Sequence, residues 1–511
     1  MAKNLPVLIA GAGAAGTVLA LELIRRDIPF RLVDRLPGPS NRSRAVTIHA
    51  RTIEIFEAID PELAQRFMHR GYHCPGYVMR YVDEQGQRSV VKPGLDFRHL
   101  ESAYPLLLLH GQDETEQTLR DYLQEKFGFS PEWGVSCETV SNEDGGVVAE
   151  LLHAHGTKEI VECRYLIACD GARSSIRTQL GLAQEGSDYA ETVLQNLDVE
   201  LHGLDDSEYW ANYCMGHGHF LMVVPMPGGY YRLLMSQPAD KADADATPHH
   251  VFGDIIDQHF DGITFGETRW HSRWGSMIRL AHTYRSGNVF LAGDAAHVHS
   301  TAGGQGMNCC MQDAFNLGWK LAMVVRSDAG DALLDTYGHE RRPVGEQVIQ
   351  AASGIHELFM TGRNAGPEKL REMVQSGVMD ALVHKVSGLG YACKPSAEEA
   401  DCLPLEGERM PDLLLASGES LYTLLRGHYL HLVAATRSGA LSASFSVFLQ
   451  EAQGNWPFVR VVEITDAPDF LLGEHGEDCL WLIRPDTWLA GRSCSPDTAW
   501  VRNWFTRFAL S

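Results

Sequence analysis

The sequence predicts an α/β fold with a Rossmann-like first domain, a mixed β-sheet inserted into it, and a small α/β unit at the end. Three observations carry this. The chain opens on an apolar strand, a glycine-rich turn and a helix. Strand, glycine-rich turn and helix recur at residues 288–320. Between them lies a strand-rich aromatic interval, and after residue 400 strand and helix patterns alternate again.

Composition narrows the class. The 511 residues are 44 % hydrophobic and 21 % charged, which is ordinary for a soluble globular chain. A formal net charge of −23 argues against nucleic acid and anionic membrane surfaces as partners. The eleven cysteines include no CxxC pair, and no Cys/His group has zinc spacing. Reduced thiols, a cytoplasmic protein and no metal are expected. The uncharged run Leu5–Leu21 could imitate a signal peptide, but four of its residues are Gly or Pro and Glu22 follows at once.

The elements follow in order. Pro6–Ala10 reads as a strand, Gly11-Ala12-Gly13-Ala14-Ala15-Gly16 as the turn, and Ala14–Arg26 as a helix. A second strand, Phe30–Val33, ends at Asp34-Arg35. The glycines permit close approach of a pyrophosphate, and Asp34 suits a ribose hydroxyl, so a dinucleotide is bound. The turn alone does not separate FAD from NAD. Arg42, Arg44 and Arg51 surround the start of a helix that runs from about Ile48 to before Asp60-Pro61. A hairpin is expected over 77–92, a strand over 106–109, a helix opening at Gln112, and strands at 147–153 and 159–168. In Asp170-Gly171-Ala172-Arg173-Ser174-Ser175-Ile176-Arg177, Asp170 can cap a helix over 172–180, and Arg177 can pair with it or with a phosphate.

Residues 186–280 alternate like sheet strands, with a hairpin turn at Pro227-Gly228-Gly229. The strand Asn288–Ala292 ends at Gly293-Asp294, and Gly303-Gly304-Gln305-Gly306 leads into a helix from about Met307. A bare helix start attracts anionic groups, while a carboxylate accepts from hydroxyls. Helices fill 331–360, with Arg341-Arg342-Pro343 starting one, and 361–400 reads as a linker. The expected domains are therefore 1–185 with 281–360, 186–280, the linker 361–400, and 401–511.

The motifs at 11–16, 170–177 and 293–308 together resemble those of the class A, single-component flavoprotein monooxygenases, the aromatic hydroxylase family. The resemblance covers about residues 5–350. It implies FAD, with Gly11, Gly13, Ala14, Ala15, Gly16, Asp34, Arg35, Arg44, Gln112 and Asp170 as cofactor-binding residues. It places Asp294 on the ribityl chain and Gly304, Gly306, Met307 and Asn308 at the flavin ring edge. Ser300-Thr301 stand where the family usually carries proline. NADPH or NADH is implied as a transient co-substrate, since no second GxGxxG follows a strand. O2 then gives a flavin C4a-hydroperoxide that hydroxylates a phenolic or polyketide-like aromatic. Oxidative dearomatisation, Baeyer–Villiger insertion and decarboxylative hydroxylation share that intermediate and stay open, as does, more remotely, a non-catalytic FAD-binding scaffold.

The same resemblance makes 186–280 the sheet that covers the substrate. Val224 and Met226 stand where hydroxybenzoate-acting members offer a serine and an arginine, which implies a substrate without a benzoate-type carboxylate. Tyr231 is the nearest match to the family's phenol-contacting tyrosine, with Tyr230 its rival. His217, His219, His271, Arg273 and Trp274 are further pocket candidates. The tail, with Leu482-Ile483-Arg484-Pro485-Asp486 and Ala490-Gly491-Arg492, resembles the thioredoxin-like domain of the phenol hydroxylase and polyketide hydroxylase branch. Lacking CxxC, it is expected to serve packing or to support a homodimer.

Overall fold

The structure is a computed structural model that describes residues 5–41, 43–205, 210–216, 219–238, 247–301, 303–393 and 407–510. Its first sheet has Lys158–Ala168 between two parallel neighbours, Leu5–Ala10 and Val289–Leu291, and continues through Phe30–Asp34 to Glu132–Trp133. Gly146–His153 and Val135–Glu143 extend Lys158–Ala168 in antiparallel fashion. The parallel strands are covered on both faces, which explains why their sequences run apolar without alternation: Val7, Leu8, Ile9, Leu166, Ile167, Phe290 and Leu291 are all buried. Helices Ala14–Ile24 and Gly306–Val325 pack on this sheet. The second is buried from Met307 to Val324, so even its polar residues lie inside the domain.

The second sheet has seven strands, ordered Thr264–Met277, Asp188–His202, Tyr230–Pro238, His219–Met226, Ala211–Gly216, Gly76–Val82 and Arg88–Asp96. The hairpin expected at 77–92 is thus part of this sheet, which draws two strands from outside 186–280. One face carries Met222, Val224, Met226, Tyr230 and Tyr213. The other carries Leu221, Val223, Tyr231 and Leu233 and is covered by helix Pro248–His259 through Phe252 and Ile256.

Arg341-Arg342-Pro343 lies inside one long helix, Ala332–Gln375, and does not start one. A proline in a helix costs about 3 kcal/mol. Burial of Tyr337, Val344 and Val348, together with the ion pair of Arg341 with Asp313, outweighs it. That helix also runs into the expected linker. A second, Val378–Val386, follows it after Gly377, which turns the chain at φ 77°.

The tail forms a four-stranded sheet ordered Val459–Thr465, Leu430–Thr436, Cys479–Ile483 and Leu489–Ser493. The first pair is parallel and the other two are antiparallel. Helices Ala443–Asn455 and Ala499–Arg507 accompany it. Cys479 and Cys494 form a disulfide, against the expectation of reduced thiols throughout. The pairing of Leu480 with Ser493 puts them opposite each other across two adjacent strands, a relationship that linear spacing does not reveal.

A turn of the tail, residues 484–488, is driven into the first domain. Asp486 accepts from Asn316 Nδ2 at 3.0 Å and from Trp319 Nε1 at 3.1 Å. Arg484 donates to both carboxylate oxygens of Glu340, at 2.7 and 2.8 Å, and Lys320 Nζ reaches Glu340 at 2.8 Å. Arg51 donates to the Asp486 carbonyl at 2.7 Å. All these charges are buried or nearly so, and each is paired, as burial requires.

Candidate active site

A cleft of about 450 Å³ runs between the two sheets. Its first wall is the 11–16 turn. Gly11 sits at φ 110°, and a side chain there would lie 2.2 Å from the Cys169 carbonyl oxygen. A side chain on Gly16 would lie 1.9 Å from the carbonyl oxygen of Gly11. Glycine is therefore forced at both positions. Asp34 accepts the Ala12 N–H and the Leu36 N–H, each at 2.8 Å, and so holds the turn. Helix Ala14–Ile24 begins at Gly13 with no side-chain cap and no acid in its first turn. Its free N–H groups suit a phosphate, and Gly13, Ala14 and Ala15 line the cleft. Arg35 is exposed and does not line the cleft.

The second wall is the 293–307 segment. Gly293, at φ 63°, turns the chain so that Asp294 is exposed in the cleft, where it accepts from the Cys310 thiol at 3.4 Å. Gly303 and Gly304 are left-handed, at φ 82° and 64°. Helix Gly306–Val325 then starts with no acid in its first turn, and Gly304, Gly306 and Met307 line the cleft. Asn308 does not line it. Its Oδ1 accepts the His49 N–H at 2.9 Å, and its Nδ2 donates to the carbonyls of Thr47 and Gly304, each at 2.9 Å. The Asn308 side chain is used up behind the wall, joining 47–49 to the glycine turn.

Between these walls Arg44 lines the cleft, with its guanidinium 5.4 Å from the Trp274 ring centre. Gln112 Oε1 accepts the Arg44 N–H at 3.3 Å, and its Nε2 donates to Glu116 at 3.1 Å. Burial pushes the Glu116 carboxyl above its ordinary range, against the pull of Gln112 and Arg120. The helix after Asp170 is shorter than expected, Ser175–Gln179, and Ser174 caps it by accepting the Arg177 N–H at 3.0 Å. Asp170 Oδ2 supports that cap from the Ile176 N–H at 3.3 Å, while its Oδ1 is buried and unpartnered. Among the described residues Arg177 makes no ion pair with Asp170. It donates to the carbonyls of Ala295 at 2.9 Å and Ala172 at 3.2 Å, tying two turns together.

The far end of the cleft is apolar and aromatic. Tyr77, Phe97, Tyr213, Met222, Leu234 and Trp274 line it, and the Tyr77 and Tyr213 rings stack at 4.1 Å. Burial raises the pKa of both phenols, so they stay protonated. Several expected pocket residues are corrected here. Tyr231 points to the opposite face of the sheet, into the Phe252 and Ile256 cluster. His219 pairs with His259 at 2.8 Å, apart from the cleft. Val224 and Met226 share the face of Met222, and Tyr230 lies there too, but all three are packed away from the cleft lining. Arg273 is exposed and His271 contacts Gln195; neither lines the cleft, whereas Trp274, Gly275 and Met277 of the same strand do. His217 and Arg42 lie outside the described residues. Tyr77, Tyr213, Met222 and Leu234 were missed: Leu234 faces the opposite way from Tyr231 on the same strand, Met222 shares the face of Val224 and Met226, and Tyr77 and Tyr213 stand on two further strands.

Two histidines of the lining were also missed. His49 Nε2 meets the Gly303 carbonyl at 2.9 Å, and His299 Nδ1 meets the Ser300 carbonyl at 2.9 Å. The bonded nitrogen must carry the proton, which leaves His49 Nδ1 and His299 Nε2 as buried unpartnered acceptors. Burial pulls each imidazole down to about 4, so both are neutral at physiological pH. The glycine cradle, two open helix starts, Asp294 and these unpartnered atoms together fit a dinucleotide with an anionic middle and a hydroxylated chain.

The chain belongs to the FAD binding domain family, whose signature matches residues 4–352. It is 36 % identical over 511 residues to pentachlorophenol 4-monooxygenase of Sphingobium chlorophenolicum, with 95 % of this chain and 93 % of that protein covered. It is 30 % identical over 515 residues to the 12-dehydrotetracycline 5-monooxygenase/anhydrotetracycline 6-monooxygenase of Streptomyces rimosus, with 98 % of each covered. Among solved structures, the OxyS anhydrotetracycline hydroxylase from Streptomyces rimosus superposes with a TM-score of 0.77 at 27 % identity over 99 % of both chains. The protein is an FAD-dependent flavoprotein monooxygenase of the aromatic hydroxylase type. Among the described residues, no helix is long and apolar enough to cross a membrane.

Proposed function

We propose that this enzyme uses NADPH or NADH and O2 to hydroxylate a phenolic or polyketide-like aromatic that carries no benzoate-type carboxylate. The observation behind this is the lining of the cleft. Among its described residues one cation occurs, Arg44, and it lies over Trp274, while the far end is aromatic and thioether surface. A planar uncharged ring system suits such a wall.

Bound FAD supplies the electron transfer and the activation of oxygen. The chain's residues do the rest. The open start of helix Gly306–Val325 favours negative charge placed against it. Asp294 would accept from a ribityl hydroxyl, and the 11–16 turn would hold the pyrophosphate. Tyr77, Phe97, Met222 and Leu234 exclude water from the reacting ring. Tyr77 and Tyr213, protonated and hydrogen-bonded to each other, give this wall a stacked aromatic surface.

The same proposal covers organisation. The strand order of the tail supports a thioredoxin-like unit from about residue 401, following an FAD-binding domain of 1–185 and 281–360. A cytoplasmic homodimer is proposed with it, supported by the exposed Leu414 and Val447 on the tail, and sedimentation velocity tests the dimer. The decisive experiment for function is stopped-flow reduction of the purified yellow protein by NADPH and by NADH against a panel of phenols and polycyclic phenols. One ligand class should accelerate reduction and yield a product heavier by one oxygen. The reading falls if carboxylated benzoates alone do so, or if none does.

A further inference from the structure

Four side chains with no part in the chemistry above meet behind the Gly293–Ala295 turn. Asp313, within helix Gly306–Val325, is fully buried. Its Oδ2 accepts the Gly293 N–H at 3.1 Å and lies 2.8 Å from His297 Nε2. Its Oδ1 accepts from Arg341 Nε at 2.7 Å. Arg341 also reaches the carbonyl of Cys309 at 3.5 Å. The side chains of His297 and Arg341 are each 1 % exposed. One carboxylate therefore joins the turn, the His297–Val298 strand, the flavin-facing helix and the helix Ala332–Gln375. The other end of the turn is fixed separately, by Arg177 on the Ala295 carbonyl.

His297, Cys309 and Asp313 bring possible ligand atoms within 4.8 Å of one another. They make a poor metal centre all the same. Both Asp313 oxygens already accept hydrogen bonds, and the Arg341 guanidinium presses a positive charge against them. Burial alone would raise the Asp313 carboxyl, but His297 and Arg341 outweigh it and hold the group below the usual carboxylate range. The charge on Asp313 is thus built in, and its visible work is to grip the backbone of the residue before Asp294.

We propose that Asp313, clamped by His297 and Arg341, is a positioning residue for FAD: it fixes the Gly293–Ala295 turn so that Asp294 presents its carboxylate to the cofactor. This rests on the FAD-binding assignment and goes beyond it by placing the control of that contact in a cluster that does not line the cleft.

The test measures FAD binding by the full chain, stripped of flavin and titrated by flavin fluorescence, with melting followed with and without FAD. Asp313→Asn keeps the shape and loses the charge. It should weaken FAD binding by about tenfold or more and shrink the FAD-induced gain in Tm. His297→Leu should do the same. His297→Gln, whose amide can still donate to Asp313, should stay within about threefold of the parent, a rescue that simple packing would not produce. The proposal is overturned if folded Asp313→Asn or His297→Leu binds FAD within about twofold of the parent. It is overturned equally if both fail to fold, because the cluster would then serve the fold at large. A parent that takes up no FAD would instead sink the cofactor assignment.

Discussion

The side chain of Asn308 holds the backbone of His49: its Oδ1 accepts the His49 N–H at 2.9 Å, across 259 residues of chain. With its bonds to Thr47 and Gly304, it sets the spacing between the two loops that frame one side of the cleft. Asn308→Ala removes three side-chain hydrogen bonds to backbone, two of them buried. A loss of about 2–3 kcal/mol of stability is expected, read by urea unfolding, along with weaker FAD retention on gel filtration.

Asp294 is exposed in the cleft and bonded there by one weak thiol donor, so its carboxylate is available to a hydroxyl. Asp294→Ala should purify pale or colourless, with an unchanged far-ultraviolet spectrum. An Asp294→Ala protein carrying a full complement of FAD would remove the ribityl contact from the scheme.

The two faces of the seven-stranded sheet make opposite predictions. Met222→Arg places a cation on the aromatic wall and should lower kcat/KM for neutral phenols by about tenfold or more, since a hydrophobic pocket rejects an unpaired charge. Tyr231→Phe alters a side chain on the opposite face, under helix Pro248–His259, and should leave kcat/KM within about twofold. Steady-state kinetics on the two variants decides which face meets substrate.

Acid stability has a named contributor. Burial would raise the Glu340 carboxyl, but Arg484 and Lys320 outweigh it and hold the group far below its ordinary range. A carboxylate depressed in the folded state stabilises above its unfolded pKa, and that gain is lost as pH falls through the window below it. Melting curves of the parent should therefore decline progressively below about pH 4.5. Glu340→Gln should melt lower at neutral pH, by about 3–5 kcal/mol in stability, and should lose less on acidification.

The fold and the glycine-rich turns that wall the cleft are legible in the sequence because they depend on local necessity. Gly11 and Gly16 tolerate no side chain, and a helix start without acids is visible in Gly303–Asn308. The substrate half was not, because strand faces alternate with a period of two. Tyr230 and Tyr231 exchange faces with a one-residue change of register that no single sequence fixes, and Tyr213 stands on a separate strand. Pro343 reads as a helix start because its local cost is visible in the sequence and the Arg341–Asp313 pair that overrides it is not. That pair, like Cys479–Cys494, exists only once distant segments are brought together. Asn308 is a further case: its polar side-chain atoms turn inward to backbone of distant segments, which the motif alone does not reveal.

The turn at 484–488 has a consequence for any attempt to trim this enzyme. Asp486 satisfies Trp319 and Asn316 on the flavin helix, and Arg484 neutralises Glu340 beside the otherwise sequestered Lys320. Cutting the chain near residue 406 would remove the acceptor of Trp319 and Asn316 and one of the two cations on Glu340, and open the back of that helix to water. The last hundred residues thus act as a keystone, and a shortened version should be recovered as insoluble, flavin-free material even though every motif that touches the cofactor is still encoded.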